Sequence, residues 1–300
     1  MMKTPDLHTH STASDGTLAP RDLIERAAQQ GVEVLALTDH DTLAGLDEAS
    51  EAAHAQGLSL VPGVEISVTW GGRTIHIVGL DVDPACAVLG SGLAGLRGYR
   101  EQRAIEIAAR LERVGWPGAL EGARALASGE LVGRTHFARF LVQRGAAKDL
   151  RSVFKHFLVK GKPGHVAGQW TTLEEAVGWI RAAGGQAVIA HPARYGLTRS
   201  KMKRLLDDFR AFGGRGIEVV SGSHSRDDYF TFARWAREQG LLASAGSDYH
   251  GPESPWIELG RLPALPEGCK PIWEQPGFAG LDQHRRVGTL EPMQARLSAV

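Results

Sequence analysis

Apolar and polar positions alternate along most of the chain in a way that separates short strands from helix-like stretches. Stretches such as 19–31, with Pro near its start and Gly at its end, and 171–185, with a Thr-x-x-Glu capping pattern, begin and end as helices do. Between such stretches, seven apolar runs predict strands at 5–10, 32–41, 58–67, 74–82, 186–194, 216–222 and 241–250. This alternation is typical of βα units and predicts an α/β fold with a parallel sheet.

The alternation of strands and helices is interrupted between residues 97 and 165, where two arginine-rich helical patterns follow one another. This stretch holds 14 Lys or Arg against 6 Asp or Glu, so its charge is +8 and the rest of the neutral chain carries −8. From 131 to 165, Asp149 alone opposes 8 basic residues. The pattern predicts an inserted helical subdomain with a positive face, although a solvated helix surface explains the same charge. The predicted boundaries are 1–96 and 166–275 for the main domain, 97–165 for the insertion and 276–300 for a C-terminal tail.

Composition limits the classes of protein that the chain can represent. Its 300 residues are 43% hydrophobic, enough to bury a large core in one barrel-sized domain or two smaller ones. Lys plus Arg equals Asp plus Glu at 34 each, which argues against wrapping long nucleic acid. Cys86 and Cys269 form no disulfide framework and suit a reducing compartment. Without a signal core or an apolar run of about 18 residues, we expect a cytoplasmic protein with no membrane contact, and no protein partner is implied.

Side chains suited to metal binding collect near the ends of the predicted strands. His8 and His10 project from the same face of the first strand, and Asp248 and His250 repeat that spacing in the last. A single such pair is weak support, because surface and core histidines are common, but six strands carry ligand-type residues. In parallel barrels the C-terminal ends of the strands meet at one mouth. Unrelated core histidines are not expected to lie together at that position. The candidate metal ligands are His8, His10, Asp15, His40, Glu65, His76, His191, Asp248 and His250.

The nine candidate donors exceed the roughly four to six that one ion takes, so the sequence predicts two or three divalent ions. Imidazole and carboxylate donors without thiolate suit Mn, Fe(II) or Zn, with Mn as the first expectation. Glu65, midway in the set, is the natural bridge between two ions. Asp39 and Asp41 flank His40 but alternate onto the opposite face, where helix capping or orientation of the ligands is expected. Two further histidines fit no pattern and are expected at the surface: His54 and His284.

The predicted chemistry is hydrolysis, since two ions about 3.5 to 4 Å apart clamp the oxygens of a phosphoryl group during in-line displacement. The same ions can hydrolyse an amide or a ring C–N bond, so the metals alone leave the substrate open. The basic insertion favours a substrate that carries phosphate, and its charge favours more than one phosphate group. The predicted catalytic residues are Glu65, Asp15 and His224. The predicted substrate-binding residues are Arg134, His136, Lys160, Lys162, Arg194, Ser223 and His224.

Several of these side chains have structural alternatives. His136 either caps its helix or reaches substrate, and Ser223 and His224 either line the pocket or stabilise their loop. Two further arginines are expected on a helix surface: Arg139 and Arg144. Two aromatic side chains are candidates either for stacking a base of RNA or for the core: Trp170 and Tyr195.

Six motifs resemble, in this order, the successive metal motifs of the PHP (polymerase and histidinol phosphatase) family. They are "DLHTHSTASDG", "ALTDHD", "GVEIS", "IHIVG", "IAHP" and "GSDYHG", and the resemblance covers residues 5 to about 255. It implies a distorted (β/α)7 TIM-like barrel with a two- or three-metal centre. By similarity, the three ions are held by His8, His10, Glu65 and Asp248, by Glu65, His76 and His191, and by Asp15, His40 and His250.

The insertion narrows the resemblance to one branch of the family. Its segments "GRTHFARFLVQRG" and "VFKHFLVKGKPGHV" look like members that remove the 3′-phosphate from nucleoside 3′,5′-bisphosphates, a group overlapping with 5′-to-3′ exoribonucleases on short RNA. The resemblance implies attack of a metal-bound hydroxide on the 3′-phosphorus of adenosine 3′,5′-bisphosphate, which gives AMP and phosphate. The basic insertion is then expected to anchor the 5′-phosphate. This branch usually has Tyr at the position of His165.

Three other functions compete with the bisphosphatase hypothesis. Trimming of short 5′-phosphorylated RNA uses the same metals but needs a groove past the first nucleotide. Hydrolysis of histidinol phosphate calls for an acidic pocket opposite the phosphate, which the arginine-rich insertion does not indicate. A non-catalytic module that binds nucleic acid is expected to have lost metal ligands, and this chain keeps all nine.

Overall fold

A computed structural model of the chain describes residues 4–127, 129, 131–253, 256–276 and 278. Its centre is a six-stranded mixed sheet in which the strands lie in chain order. Pairing is parallel between the first two strands and among the last three, and antiparallel on both sides of the third. The strands are β1 Val34–Leu37, β2 Ser59–Trp70, β3 Arg73–Leu80, β4 Gln186–Ile189, β5 Gly216–Ser221 and β6 Leu242–Gly246.

The prediction of a parallel sheet is wrong for β3. A two-residue turn joins β2 directly to β3, and both of its glycines are left-handed, with φ of 55° at Gly71 and 72° at Gly72. Two consecutive residues with positive φ make the turn that matches the twist of a β-hairpin. The strand therefore runs back along β2 instead of returning through a crossover helix.

The first predicted strand, 5–10, makes single bridges rather than a regular strand, and these bridges join both edges of the sheet. Asp6 pairs with Leu35 of β1, and Thr9 pairs with Tyr249, just after β6. The backbone N–H of Leu7 donates to the carbonyl of Ala245 in β6 at 2.9 Å. Contact of one segment with both edge strands means that the sheet is curled.

The helices begin and end largely where the sequence signals predicted. Pro20 opens the first helix, and Thr172 caps the seventh in a reciprocal pair with Glu175. The helices are α1 Pro20–Gln29, α2 Leu46–Gln56, α3 Ala87–Glu112, α4 Ala119–Ala125, α5 Arg134–Gln143, α6 Leu150–Val153, α7 Leu173–Ala182, α8 Arg199–Ala211 and α9 Arg226–Gln239. A π-helical turn, Phe154–Leu158, follows α6, and short 3₁₀ turns lie at Pro192–Tyr195 and Ile272–Glu274. None of the described helices is long and apolar enough to cross a membrane.

Helix α3 joins two separate apolar clusters. Leu89 and Leu93 in its first half pack with the cluster between the sheet and α7 to α9. Ile107 and Leu111 in its second half pack with Phe137 of α5, in a cluster drawn from residues 104–166. The helices of the arginine-rich stretch thus bury their apolar faces mainly against one another, and α3 carries them beside the sheet.

Candidate metal centre

The strands and the segment 5–10 bring all nine predicted ligands to one place. His8 and His10 lie on the segment between β1 and β6, and Asp15 lies on the turn that follows it. Glu65 and His76 lie within β2 and β3, and the other four donors follow β1, β4 and β6. Glu65 of β2 is fully buried at the middle of the cluster. Within 3.4 Å of its two carboxylate oxygens lie imidazole nitrogens of His8, His10, His40, His76 and His191.

Two more carboxylates close the cluster on its outer side. Oδ1 of Asp15 lies 3.2 Å from Nε2 of His250 and 3.9 Å from Nε2 of His40. Oδ1 of Asp248 lies 3.3 Å from Nε2 of His10. Three anionic groups thus alternate with the imidazoles, which is the donor chemistry of a centre with several divalent ions.

The donor atoms form three groups, and within each group all atoms lie within 4.8 Å of one another. The group of His8, His10, Glu65 and Asp248 is the first set that the resemblance implies. A second group contains Asp15, His40 and His250 of the implied third set, with His10 added. The last group contains His40, Glu65 and His76. It has His40 where the implied second set has His191, although Nε2 of His191 lies 2.9 Å from the Glu65 carboxylate.

Buried polar atoms without a hydrogen-bond partner test whether metal ions fit these residues. An unsatisfied buried polar atom costs on the order of 1–3 kcal/mol, and a coordinated cation removes that cost. Within the described part of the chain, unpartnered atoms of the cluster are Nε2 of His8, both ring nitrogens of His10, Oδ1 of Asp15, Nδ1 of His40, Oε2 of Glu65 and Nδ1 of His191. Most of these atoms face the cluster, so the residues fit divalent ions.

Burial and mutual charge set the protonation of the donors. Burial alone raises the pKa of Glu65, but His40 and His76 outweigh it and hold that pKa well below the usual range. Burial, reinforced by the charge of His250, lowers the pKa of His10 to about 3. In contrast, despite burial, Asp15 raises the pKa of His250 to about 9. Ionised carboxylates and neutral imidazoles are the forms that bind a metal ion, so Glu65 and His10 are ready to bind, whereas His250 must lose a proton.

The backbone is strained where it presents two of the donors. His191 follows β4 with φ of 27°, and Asp248 follows β6 with φ of 56°. A residue with a β-carbon held at positive φ costs on the order of 1–3 kcal/mol, and such residues cluster at functional sites. The surrounding hydrogen bonds hold both donors in this position.

Glu218, which was not among the predicted site residues, supports two of the donors. It lies in β5 with 1% of its surface exposed. Its Oε1 lies 2.6 Å from Nδ1 of His8, and its Oε2 accepts the backbone N–H of His191. The available signal was a carboxylate inside the otherwise apolar run 216–222, because a buried charge needs partners.

The aspartates that flank His40 hold neighbouring segments by hydrogen bonds. Asp39 accepts hydrogen bonds from the hydroxyls of Ser11 and Ser14, each at 2.6 Å. Asp41 accepts one from Nε of Arg100 at 2.6 Å. The first contact fixes the loop between His10 and Asp15, and the second anchors α3 to the cluster.

The basic residues predicted to bind substrate lie at different distances from the centre. Nη1 of Arg194 lies 2.7 Å from Oδ2 of Asp248, although half of the arginine side chain is exposed. Arg134 begins α5, with its guanidinium 5.7 Å from the ring centre of Phe154. Lys160 and Lys162 are exposed, and no contact of either with the cluster is found among the described residues.

Arg139, expected on a helix surface, instead contacts a donor residue. Its Nη2 donates to the backbone carbonyl of Asp15 at 3.1 Å, and the neighbouring Thr135 donates to the Asp15 carboxylate at 3.0 Å. The expectation was wrong because α5 docks this face against the loop that follows His10. Arg144, in contrast, is exposed at the end of the helix.

Two predicted substrate histidines are engaged with the backbone. Nδ1 of His136 accepts the N–H of Gly133 at 3.0 Å, which caps α5, and the ring is 1% exposed. Nδ1 of His224 lies 3.1 Å from the carbonyl of Val219, and its Nε2 lies 3.4 Å from the N–H of Ala193. These contacts match the structural alternatives, which were a helix cap for His136 and stabilisation of the loop for His224. Ser223, in contrast, is exposed and lines a cavity beside the centre.

The remaining aromatic and histidine residues lie around the site or away from it. The hydroxyl of Tyr195 donates to the carbonyl of Ala190 at 2.8 Å, and Arg100 lies 5.0 Å from the ring centre of Trp170. Both aromatic rings are therefore packed against the protein. His54 is exposed on α2 as expected, whereas His284 lies outside the described residues.

A cavity of about 1160 Å³ opens beside the cluster, between α5 and α6 and the loop after β6. Asp248 and His250 line its inner end, and Arg139 and Arg194 contribute positive charge. Fold and donor cluster together define a metal-dependent hydrolase.

Comparisons with known proteins agree with this class. The PHP domain matches residues 6–114. The chain is 51% identical to a 3′,5′-nucleoside bisphosphate phosphatase of Chromobacterium violaceum over 275 residues, which cover 91% of this chain and 96% of that protein. It is 48% identical to a 5′-3′ exoribonuclease of Haemophilus influenzae, over 92% of this chain and all of that protein.

A solved structure extends the similarity to the fold. It is described as a metal-dependent phosphoesterase from Bifidobacterium adolescentis, with a TM-score of 0.77, 27% identity and 96% of each chain covered. The chain belongs to the PHP family. The resemblance found in the six sequence motifs is thereby confirmed.

Proposed function

We propose that the protein hydrolyses the 3′-phosphate of nucleoside 3′,5′-bisphosphates, such as adenosine 3′,5′-bisphosphate, to give a nucleoside 5′-phosphate and phosphate. The observation that carries the proposal is the position of arginines on one side of the Glu65-centred donors. Arg194 is in contact with Asp248, and Arg134, the first residue of α5, interacts electrostatically with Asp15. The identity of 51% to a protein named for this activity supports the same substrate.

Two or three divalent ions, with Mn the first expectation, supply Lewis acidity at the phosphoryl oxygens and lower the pKa of a water when bound. Eight of the nine predicted ligands fall in the three donor groups, and His191 joins them through Glu65, the shared carboxylate, which lies 2.9 Å from its Nε2. Asp15 and Glu65 keep their catalytic assignment as ionised donors, since the pKa of each carboxyl is held well below its usual range despite burial.

In this proposal, arginines bind the phosphate groups of the substrate. Arg194 keeps half of its side chain exposed while it contacts Asp248, so its free N–H groups can meet an oxygen of the 3′-phosphate. Among the described residues, no hydrogen bond of the Arg134 guanidinium is found, and burial with nearby Arg100 lowers its pKa. A bound 5′-phosphate relieves both costs, because it supplies acceptors and negative charge.

His224 acts in this proposal through the loop it supports. Its two ring nitrogens are directed to Val219 and Ala193, so it fixes the turn that carries Arg194. The roles proposed from sequence for Ser223, Lys160 and Lys162 are contacts with the outer part of the substrate. His136 holds the first turn of α5, and with it the position of Arg134.

The finer architecture that we propose is a distorted seven-stranded barrel. The segment 5–10 completes it through bridges to Leu35 and Tyr249, and the helices of 97–165 form the insertion. The separate apolar cluster of residues 104–166 supports this division. The two free cysteines, Cys86 and Cys269, support the expected cytoplasmic location.

Trimming of short RNA from its 5′ end is the second candidate. It is favoured by the 48% identity to a protein named a 5′-3′ exoribonuclease. Both reactions break the bond between phosphorus and a 3′-oxygen, and both use a 5′-phosphate as the anchor.

A direct comparison of substrates tests the proposal. Mn-loaded protein is given adenosine 3′,5′-bisphosphate or a 5′-phosphorylated RNA trinucleotide, and free phosphate and nucleotides are followed separately. Faster release of phosphate and AMP from the bisphosphate supports the phosphatase. Faster release of 5′-mononucleotides from RNA supports the second candidate, and turnover of neither substrate refutes both.

A further inference from the structure

The insertion contacts the turn that carries Asp15 at three points. Thr135, in the first turn of α5, donates its hydroxyl to Oδ2 of Asp15 at 3.0 Å. Arg139, one helical turn further along, donates to the backbone carbonyl of Asp15 at 3.1 Å. A β-carbon added at Gly129 would come within 2.8 Å of the carbonyl oxygen of Thr12. The insertion is therefore packed closely against this turn of the metal centre.

The two oxygens of the Asp15 carboxylate have different surroundings. Oδ2 accepts the hydroxyl of Thr135. Oδ1 is buried, has no hydrogen-bond partner within the described part of the chain, and lies 3.2 Å from Nε2 of His250. Carboxylates that bind a metal ion are themselves held by hydrogen bonds, which fix their orientation. Asp15 has this arrangement, with Thr135 as the donor and Oδ1 directed to the other ligands.

The insertion reaches one of the predicted ligands in this way. Among the described residues, hydrogen bonds from the insertion to the nine ligands are found only at Asp15. His8 and His191, in contrast, are supported by Glu218 of β5. Asp15 belongs to the donor group that also contains His10, His40 and His250. A change at Thr135 is therefore expected to affect this group and to leave the groups around Glu65 in place.

We infer that Thr135 positions Asp15 for a divalent ion, so that the insertion completes one site of the metal centre. The inference rests on the proposed function, because it adds a positioning residue to the same centre. Without the hydroxyl of Thr135, Oδ2 loses this donor and the carboxylate is free to rotate away from His250. Arg134 begins the same helical turn, so the position of α5 sets both the proposed phosphate anchor and the affinity for this ion.

Two substitutions of Thr135 separate its hydroxyl from its shape. Thr135→Val keeps the shape and removes the donor, whereas Thr135→Ser keeps the donor. Each variant is titrated calorimetrically with Mn²⁺, and the ions retained per chain are counted after gel filtration. We expect the affinity of one site to fall about 10- to 100-fold in Thr135→Val, with the other sites unchanged. Thr135→Ser and the matched control Thr231→Val, at a half-buried threonine of α9, are expected to bind Mn²⁺ as the unchanged protein does.

The dependence of activity on Mn²⁺ supplies a readout that a merely structural role does not move. In Thr135→Val, the Mn²⁺ concentration for half-maximal hydrolysis of the bisphosphate is expected to rise about 10- to 100-fold, with kcat restored at saturating Mn²⁺.

Unchanged Mn²⁺ affinity in Thr135→Val overturns the inference, and a higher KM in its place assigns Thr135 to the substrate. Equal weakening of all sites, or failure of Thr135→Ser to retain the affinity, also overturns it. The titration needs no substrate. Failure of the unchanged protein to hydrolyse the bisphosphate refutes the proposed function instead and is read separately.

Discussion

The carboxylate of Glu218 lies 2.6 Å from Nδ1 of His8, on the side of the ring that faces away from the other donors. Nε2 of the same ring lies 3.4 Å from Glu65 and 3.6 Å from Asp248. A histidine that donates its Nδ1 proton to a carboxylate keeps Nε2 free as a ligand. Glu218 therefore fixes both the tautomer and the orientation of His8.

Glu218→Gln is expected to weaken metal binding. The amide keeps the shape of the side chain but loses the charge that orients His8, and loss of such a partner costs about 10- to 100-fold in affinity. Titration calorimetry with Mn²⁺ measures the change, and Glu112→Gln, an exposed glutamate of α3, is the control. An affinity equal to that of the unchanged protein contradicts the role of Glu218.

His40→Ala is expected to abolish most activity and leave the fold intact. Nδ1 of His40 lies 2.9 Å from Glu65, and its ring belongs to two of the three donor groups. We expect kcat/KM to fall at least about 100-fold, together with the number of Mn ions retained per chain. The matched control is His54→Ala, since His54 is exposed on α2. Near-full turnover and full metal content in His40→Ala rule out the assignment.

The donor residues were predictable from sequence because strands impose a simple geometry. His8 and His10 share a face through their spacing of two, and the ends of strands meet at one mouth. Glu218 and Arg139 were missed because their roles depend on what packs against them. Glu218 lies in an apolar strand, and the contact of Arg139 with Asp15 exists only because α5 docks on the loop after His10.

The direction of β3 was mispredicted for a local reason. Its apolar run fits a parallel strand as well as an antiparallel one, since both have a period of two. The glycine pair at 71 and 72 carried the missing information, because two positive φ angles in a row specify a hairpin turn. The curling of the sheet follows from pairing of the segment 5–10 with both edges, a non-local contact that no single motif encodes.

Arg134→Ala is expected to weaken binding of substrates that carry a 5′-phosphate. Loss of a hydrogen-bonded charge costs about 1.5–3 kcal/mol, so KM for adenosine 3′,5′-bisphosphate is expected to rise about 10- to 100-fold. KM for adenosine 3′-phosphate is expected to stay unchanged, because it lacks the anchored group. Steady-state assays of both substrates, with Arg113→Ala as the control, measure the difference. The same rise for both substrates removes the anchoring role.

The cap of α5 makes folding stability depend on pH. Nδ1 of His136 accepts the N–H of Gly133, and burial lowers the pKa of this histidine to about 4 in the folded protein. In the unfolded chain the pKa is about 6.5. Because the folded pKa is the lower one, the contribution of His136 is fully present above pH 6.5 and is lost as pH falls toward 4.

His136→Asn is therefore expected to flatten the pH dependence of stability, since its amide oxygen can accept the same hydrogen bond but does not titrate. Between pH 7 and pH 4.5 the free energy of unfolding of the unchanged protein is expected to fall by about 2 kcal/mol more than that of the variant. Urea denaturation at both pH values measures this difference. His54→Asn, at an exposed position, is expected to titrate like the unchanged protein. Parallel pH profiles of His136→Asn and the unchanged protein contradict the buried neutral state of His136.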